Sequence, residues 1–216
     1  RARRRSRATR PGRPDGGRSR SRGSRDLSDL RRSLAVSERG GRAAPALVAA
    51  AGGGALYCLG YLGWGVWPLL GGFLVPLWWA LESWQRRGAA AAAALGGLFG
   101  LAAYAGGFAW LWRLVEVFLA GHVAVGAALW LAYGLWFAAG FAAYALAFHA
   151  LRRRGWPLAV AGIAPLVVVE WLQPQVFPVY AGAGLVAVPA WIQMADLGGP
   201  LLLTAFLAAV NAGVYA

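Results

Sequence analysis

The sequence from Ala44 to Ala216 is interrupted by charge at very few places: Glu82, Arg86, Arg87, Arg113, Glu116, Arg152 to Arg154, Glu170 and Asp196. The stretches between these positions are apolar over lengths that approach the roughly 20 residues a helix needs to cross the hydrocarbon core of a bilayer. Runs of this kind cover 44–62, 66–82, 89–112, 122–150, 157–172 and 197–216. The expected fold is therefore all-α, a polytopic transmembrane helix bundle of about six spans. Composition agrees, because the chain is 59% hydrophobic and 13% charged, whereas a soluble domain carries about a quarter charged residues.

The formal charge of +13 is concentrated before the first span. Positions 1–42 hold 15 of the 21 basic residues against four acids, Asp15, Asp26, Asp29 and Glu38. With almost no apolar side chain to bury, this tail cannot offset its ordering entropy, and it is expected to be disordered. The boundaries that follow are a basic tail at 1–42 and a transmembrane helical domain at 43–216. Arginine runs neutralise nucleic-acid phosphates, but no aromatic residue interleaves these arginines, and no nucleic-acid partner is expected. A polybasic patch on anionic membrane lipids is one alternative. Another is an over-extended start or a fragment end, since the chain begins without Met and its basic residues are all Arg. A signal peptide is not expected, because a full-length span follows the arginines.

Arginine placement orients the bundle. The tail precedes the first span, Arg86 and Arg87 follow the second, and Arg152 to Arg154 follow the fourth. With the N-terminus in the cytoplasm all three clusters lie inside, as the positive-inside rule requires. Loops 63–65, 113–121 and 173–196 then face outward. Arg113 is the basic residue in them, and Glu116 one turn on is expected to offset it.

Most features read as packing. Gly96 and Gly100 form a small-xxx-small step for close helix approach. Trp64, Trp67, Trp78, Trp79, Trp84, Trp110, Trp112 and Trp156 lie near span ends, where an aromatic belt is expected. Cys58, the single cysteine, excludes an internal disulfide and reads as a buried, inert thiol. His122 and His149 stand about 40 Å apart along one helix, cannot share a metal, and read as interfacial side chains. Glu82 is expected to pair with Arg86 at i+4, and Asp196 to cap the last helix. No paired carboxylates, Ser/His/Asp set, phosphate loop or zinc spacing is present, so neither a metal nor a cofactor is expected.

Glu170 stands apart, in VVVEWLQPQVFPVY. Either it reaches water beside a belt tryptophan, or it faces a wet pocket roofed by the irregular loop 173–196. The second reading draws on the rule that non-helical backbone at membrane depth persists only against protein or a water-lined cavity.

EWL at 170–172, FP at 177–178 and WIQMADLGG at 191–199, leading into an apolar run with Asn211, resemble the membrane domain of the bacterial apolipoprotein N-acyltransferase family. WPLL at 67–70 and GLFGLAAYAGGFAWLW in the third span are similar too. The sequence departs from the family where Gln173 replaces a usual Arg, Val179 a usual Trp, and AGAGL at 181–185 a GYSQ-like stretch. The resemblance implies transfer of an acyl chain from a phospholipid donor to the amino terminus of a diacylglyceryl-cysteine lipoprotein, at the bacterial inner membrane. It also implies a thioester on a cysteine with Glu and Lys partners, in a nitrilase-like domain reached after a seventh span. That set is not expected in this chain, which has no Lys and stops at about the sixth span; alone it should give no acyl transfer. The candidate substrate-lining residues are Glu170, Trp171, Phe177, Pro178, Tyr180, Trp191, Gln193 and Asp196. A small multispan transporter or scaffold subunit is the alternative, weakened by the scarcity of charges near the midplane and the lack of an internal repeat.

Overall fold

A computed structural model describes residues 43–62, 64–118 and 122–216, and the basic tail lies outside them. Every regular element among these residues is helical. Helix α1 (Ala44–Tyr57) runs into a π-helical turn at Cys58–Leu62; a 3₁₀ turn (Trp67–Gly71) leads to α2 (Val75–Ser83). A further 3₁₀ turn at Gln85–Arg87 precedes α3 (Ala89–Gly107), α4 (Trp110–Phe118), α5 (Val123–Arg153) and α6 (Leu158–Leu172). The chain ends with a 3₁₀ stretch (Ala181–Ala187), the short α7 (Pro189–Ile192) and α8 (Ala195–Tyr215).

Four of these segments, Ala44–Leu62, Ala89–Gly107, Val123–Arg153 and Ala195–Tyr215, are long and apolar enough to cross a membrane. Helix α6 is apolar but has only 15 residues, about 22 Å of rise. The segment expected as a second span, 66–82, is not one helix. Its backbone breaks between Gly71 and Val75, which strands polar groups that lipid cannot satisfy. Asn211, on α8, repairs the break: its Oδ1 accepts from the Leu74 N–H at 2.9 Å, and its Nδ2 donates to the Leu70 carbonyl at 2.8 Å.

The third expected span, 89–112, also ends early. Phe108 and Ala109 form a turn, and the expected loop at 113–121 is helical as far as Phe118. Leu111 and Val115, at i and i+4, are buried while Arg113, Val117 and Phe118 are exposed, so α4 forms because it has one face to bury. The Glu116 side chain, and with it the expected offset of Arg113, lies outside the described residues.

Close packing is carried by the expected glycines. A Cβ at Gly96 would strike the Phe141 carbonyl, and one at Gly100 would lie 2.7 Å from the Ala138 Cα, so α3 and α5 meet backbone to backbone. An aromatic core fills the bundle: Tyr57 stacks on Phe73 at 4.9 Å, and Tyr104 on Phe137 at 4.0 Å. Trp78 belongs here rather than to the belt. It is fully buried, and its Nε1 donates to the Tyr144 hydroxyl at 2.6 Å, which in turn donates to the Gly162 carbonyl. Burying the large ring is favourable once its N–H has a partner. Trp64, Trp79, Trp110, Trp112 and Trp156 are exposed, as a belt requires.

The arginine-bearing end is tied across three helices. Glu82 pairs with Arg152 of α5 at 2.6 Å and accepts from the Tyr215 hydroxyl of α8 at 2.7 Å, in place of the expected bond to Arg86. A partner on a neighbouring helix wins because it fixes packing as well as charge. His149 is likewise not interfacial but 4% exposed, with Nδ1 placed 3.1 Å from Gln85 Oε1. His122 is exposed at the start of α5, and Cys58 is buried.

Candidate functional site

At the end opposite Arg86, Arg87 and Arg152 to Arg154, α6 delivers Glu170 two residues before it stops. The helix carries Pro165 within it and ends at Leu172, ahead of the proline-punctuated loop. Glu170 is 8% exposed; it does not reach water beside the tryptophan but turns into the bundle. A carboxylate is stable there only if its oxygens are hydrogen-bonded. Oε1 accepts from the Ala181 N–H at 2.8 Å. Oε2 accepts from the Thr204 hydroxyl at 2.6 Å, and Thr204 Oγ1 itself accepts from the Gly182 N–H at 3.0 Å.

This junction joins α6, the 3₁₀ stretch and α8. It draws the loop backbone so close to α8 that a Cβ at residue 182 would collide with the Thr204 nitrogen, a contact only glycine allows. Ala181 and Leu185 are fully buried as a result. Nearer the surface, the Gln173 Nε2 donates to the Trp136 carbonyl at 2.8 Å, while the Trp136 indole donates to the Pro174 carbonyl at 2.9 Å. Gln175 Oε1 accepts from the Val179 N–H.

The candidate residues do not converge on one pocket. Glu170 points inward, whereas Trp171 is exposed on the outside of α6. Phe177 packs edge-on against Trp110 and Tyr133, at 5.3 Å and 6.0 Å. Pro178 is exposed beside it, and Tyr180 is half-buried. Trp191 stands perpendicular to Trp67 at 5.3 Å. Gln193 and Asp196 are exposed, and Asp196 makes no capping bond: α8 begins at Ala195, so Asp196 is already in its first turn. The helix breaks just beyond, where Gly199 adopts φ +71°, a conformation that suits glycine and interrupts the helix before Pro200.

Two spaces border this end. A cavity of about 10 Å³ is lined by Tyr104, Glu170, Gln175 and their neighbours. A more open, apolar groove of about 360 Å³ lies between α3, α4 and α5, walled by Ala105, Ala109, Trp112, Arg113 and Trp130. Neither holds a nucleophile beside a base. Both oxygens of Glu170 are engaged, one by the Ala181 N–H and one by the Thr204 hydroxyl, so its geometry suits positioning. Among the described residues no three His, Cys, Asp or Glu side chains are grouped to hold a metal.

The family model described as the apolipoprotein N-acyltransferase N-terminal domain matches residues 53–213. The chain belongs to that family. No curated protein matches it, and no solved structure does. The matched region of this N-acyltransferase-family chain takes in Glu170, Ala181, Gly182 and Thr204, the whole of the junction. Thr204, Tyr104 and Gln175 were not singled out from sequence. Thr204 could have been, as the polar residue in LLLTAFL; in an apolar span such a residue requires a partner.

Proposed function

We propose that this bundle is the membrane portion of an apolipoprotein N-acyltransferase, which moves an acyl chain from a phospholipid to the amino terminus of a diacylglyceryl-cysteine lipoprotein. The observation that carries the reading is the family match over 53–213. The bundle sits in the bacterial inner membrane with its N-terminus in the cytoplasm, its arginine-bearing end inside and the Glu170 loop outside. Positions 1–42 form a basic tail, and 43–216 form the helical domain that anchors a nitrilase-like catalytic domain. The thioester chemistry belongs to that domain, since this chain has no Lys to complete a Cys, Glu and Lys set.

The bundle's own contribution is to present lipid. Glu170 and Thr204 hold the outer loop against α8, so that this end offers lipid separate apolar surfaces at Phe177, Pro178, Tyr180, Trp191 and the exposed Trp171. Gln193 and Asp196 supply its polar edge. The groove beside Trp112 and Trp130 is in the size range that takes part of a lipid chain. Expression of the full-length protein in cells depleted of their own N-acyltransferase tests this reading. N-acylated lipoproteins should return, and their continued absence despite a correctly inserted protein would overturn it.

A further inference from the structure

The small cavity beneath the outer loop contains polar groups that the junction leaves unfinished. Gln173 spends its Nε2 on the Trp136 carbonyl, and Tyr144 both accepts from Trp78 and donates to Gly162. Tyr144 is complete as a donor, and Gln173 has one of its two amide hydrogens committed. Glu170 is not complete as an acceptor, because each oxygen takes one bond and a carboxylate has about four lone-pair sites. Gln175 uses its Oε1 on Val179 and keeps its amide hydrogens. Tyr104, 2% exposed, lines the same space with a phenol that can both donate and accept.

We propose that this cavity is a site for one water molecule, held by Glu170 of α6, Tyr104 of α3 and Gln175 of the loop. Its volume of about 10 Å³ corresponds to one water-sized probe, and three polar partners are what a buried water typically has. A lipid chain or headgroup is far too large for it. The water extends the Glu170 junction from three elements to α3 and the mouth of the loop, with Gln175 and Gln173 half-buried on its outward side. The site does not depend on acyl transfer and stands or falls by itself.

The test is a density map of the full-length protein in lipid nanodiscs, at a resolution that shows ordered waters elsewhere in the bundle. One peak within hydrogen-bond distance of Glu170 and Tyr104 is expected; ordered waters elsewhere with none here would overturn the proposal. A second measurement is thermal unfolding of Tyr104→Phe beside the parent. Tyr104→Phe should lose the peak and melt about 2–4 °C lower. A Tyr104→Phe protein that melts at or above the parent would mark the cavity as dry.

Discussion

The Thr204 hydroxyl lies 2.6 Å from Glu170 Oε2, joining α8 to α6 across 34 positions of sequence. Through Ala181 and Gly182 the same two side chains hold the loop between those helices. Each bond satisfies a polar group that is buried away from bulk solvent. The pair is therefore a fastening for the loop between α6 and α8.

Removing either member should loosen the loop. Glu170→Ala leaves the Ala181 N–H and the Thr204 O–H without their acceptor, at about 1–3 kcal/mol for each buried group. Thr204→Val keeps the shape but strands the Gly182 N–H and one Glu170 oxygen. Because the two act as one network, the double variant should cost clearly less than the sum of the singles. Denaturant unfolding in detergent measures all three; additive losses would separate the residues.

Gly182→Ala tests the close approach directly. The new methyl would meet the Thr204 backbone nitrogen and Leu203, a collision with backbone that side-chain rotation cannot relieve. A loss of about 1–3 kcal/mol is expected. A neutral result in the same unfolding measurement would show that the 3₁₀ stretch does not sit against α8.

Asn211 should matter more than a lone amide in an apolar helix suggests. Asn211→Leu matches its size and is the better residue for a span by hydropathy, yet it leaves the Leu74 N–H and the Leu70 carbonyl without partners. The expected cost is about 1–3 kcal/mol per group. Faster hydrogen exchange confined to Leu70–Val75 would identify the cause, and unchanged exchange there would contradict it.

The Glu82–Arg152 pair is the opposite case. Both side chains are 29% exposed, so solvent screens the attraction, and an exposed pair is worth about 0–1 kcal/mol. Arg152→Gln should change the melting temperature little, with most of that change lost in high salt. A large, salt-independent loss would mean that the network with Tyr215 is worth more than its exposure allows.

The spans were legible in the sequence because crossing a bilayer imposes a length, and long apolar runs show that length. Gly96 and Gly100 were legible for a similar reason, since their spacing is itself the packing rule. What escaped depends on partners far away in sequence. Trp78 looks like a belt residue until Tyr144 supplies its acceptor, and His149 looks interfacial until Gln85 arrives from another helix. The break at Gly71–Leu74 is written in local glycines and prolines, but its repair is written 137 residues away in Asn211. Glu170 was found as an anomaly, a carboxylate in an apolar run; its inward direction depended on Thr204 and on two backbone N–H groups that no side-chain pattern announces.

The measurement that bears most directly on the account is acyl transfer by the full-length protein in a defined bilayer. Phospholipid is the donor, a diacylglyceryl-cysteinyl peptide the acceptor, and mass spectrometry reports the product. The account predicts a phospholipid-dependent acyl addition at the peptide's amino terminus, slowed in Glu170→Ala while Arg152→Gln runs near the parent rate. Absence of transfer by the intact, folded protein, or a Glu170→Ala rate equal to the parent's, would contradict it.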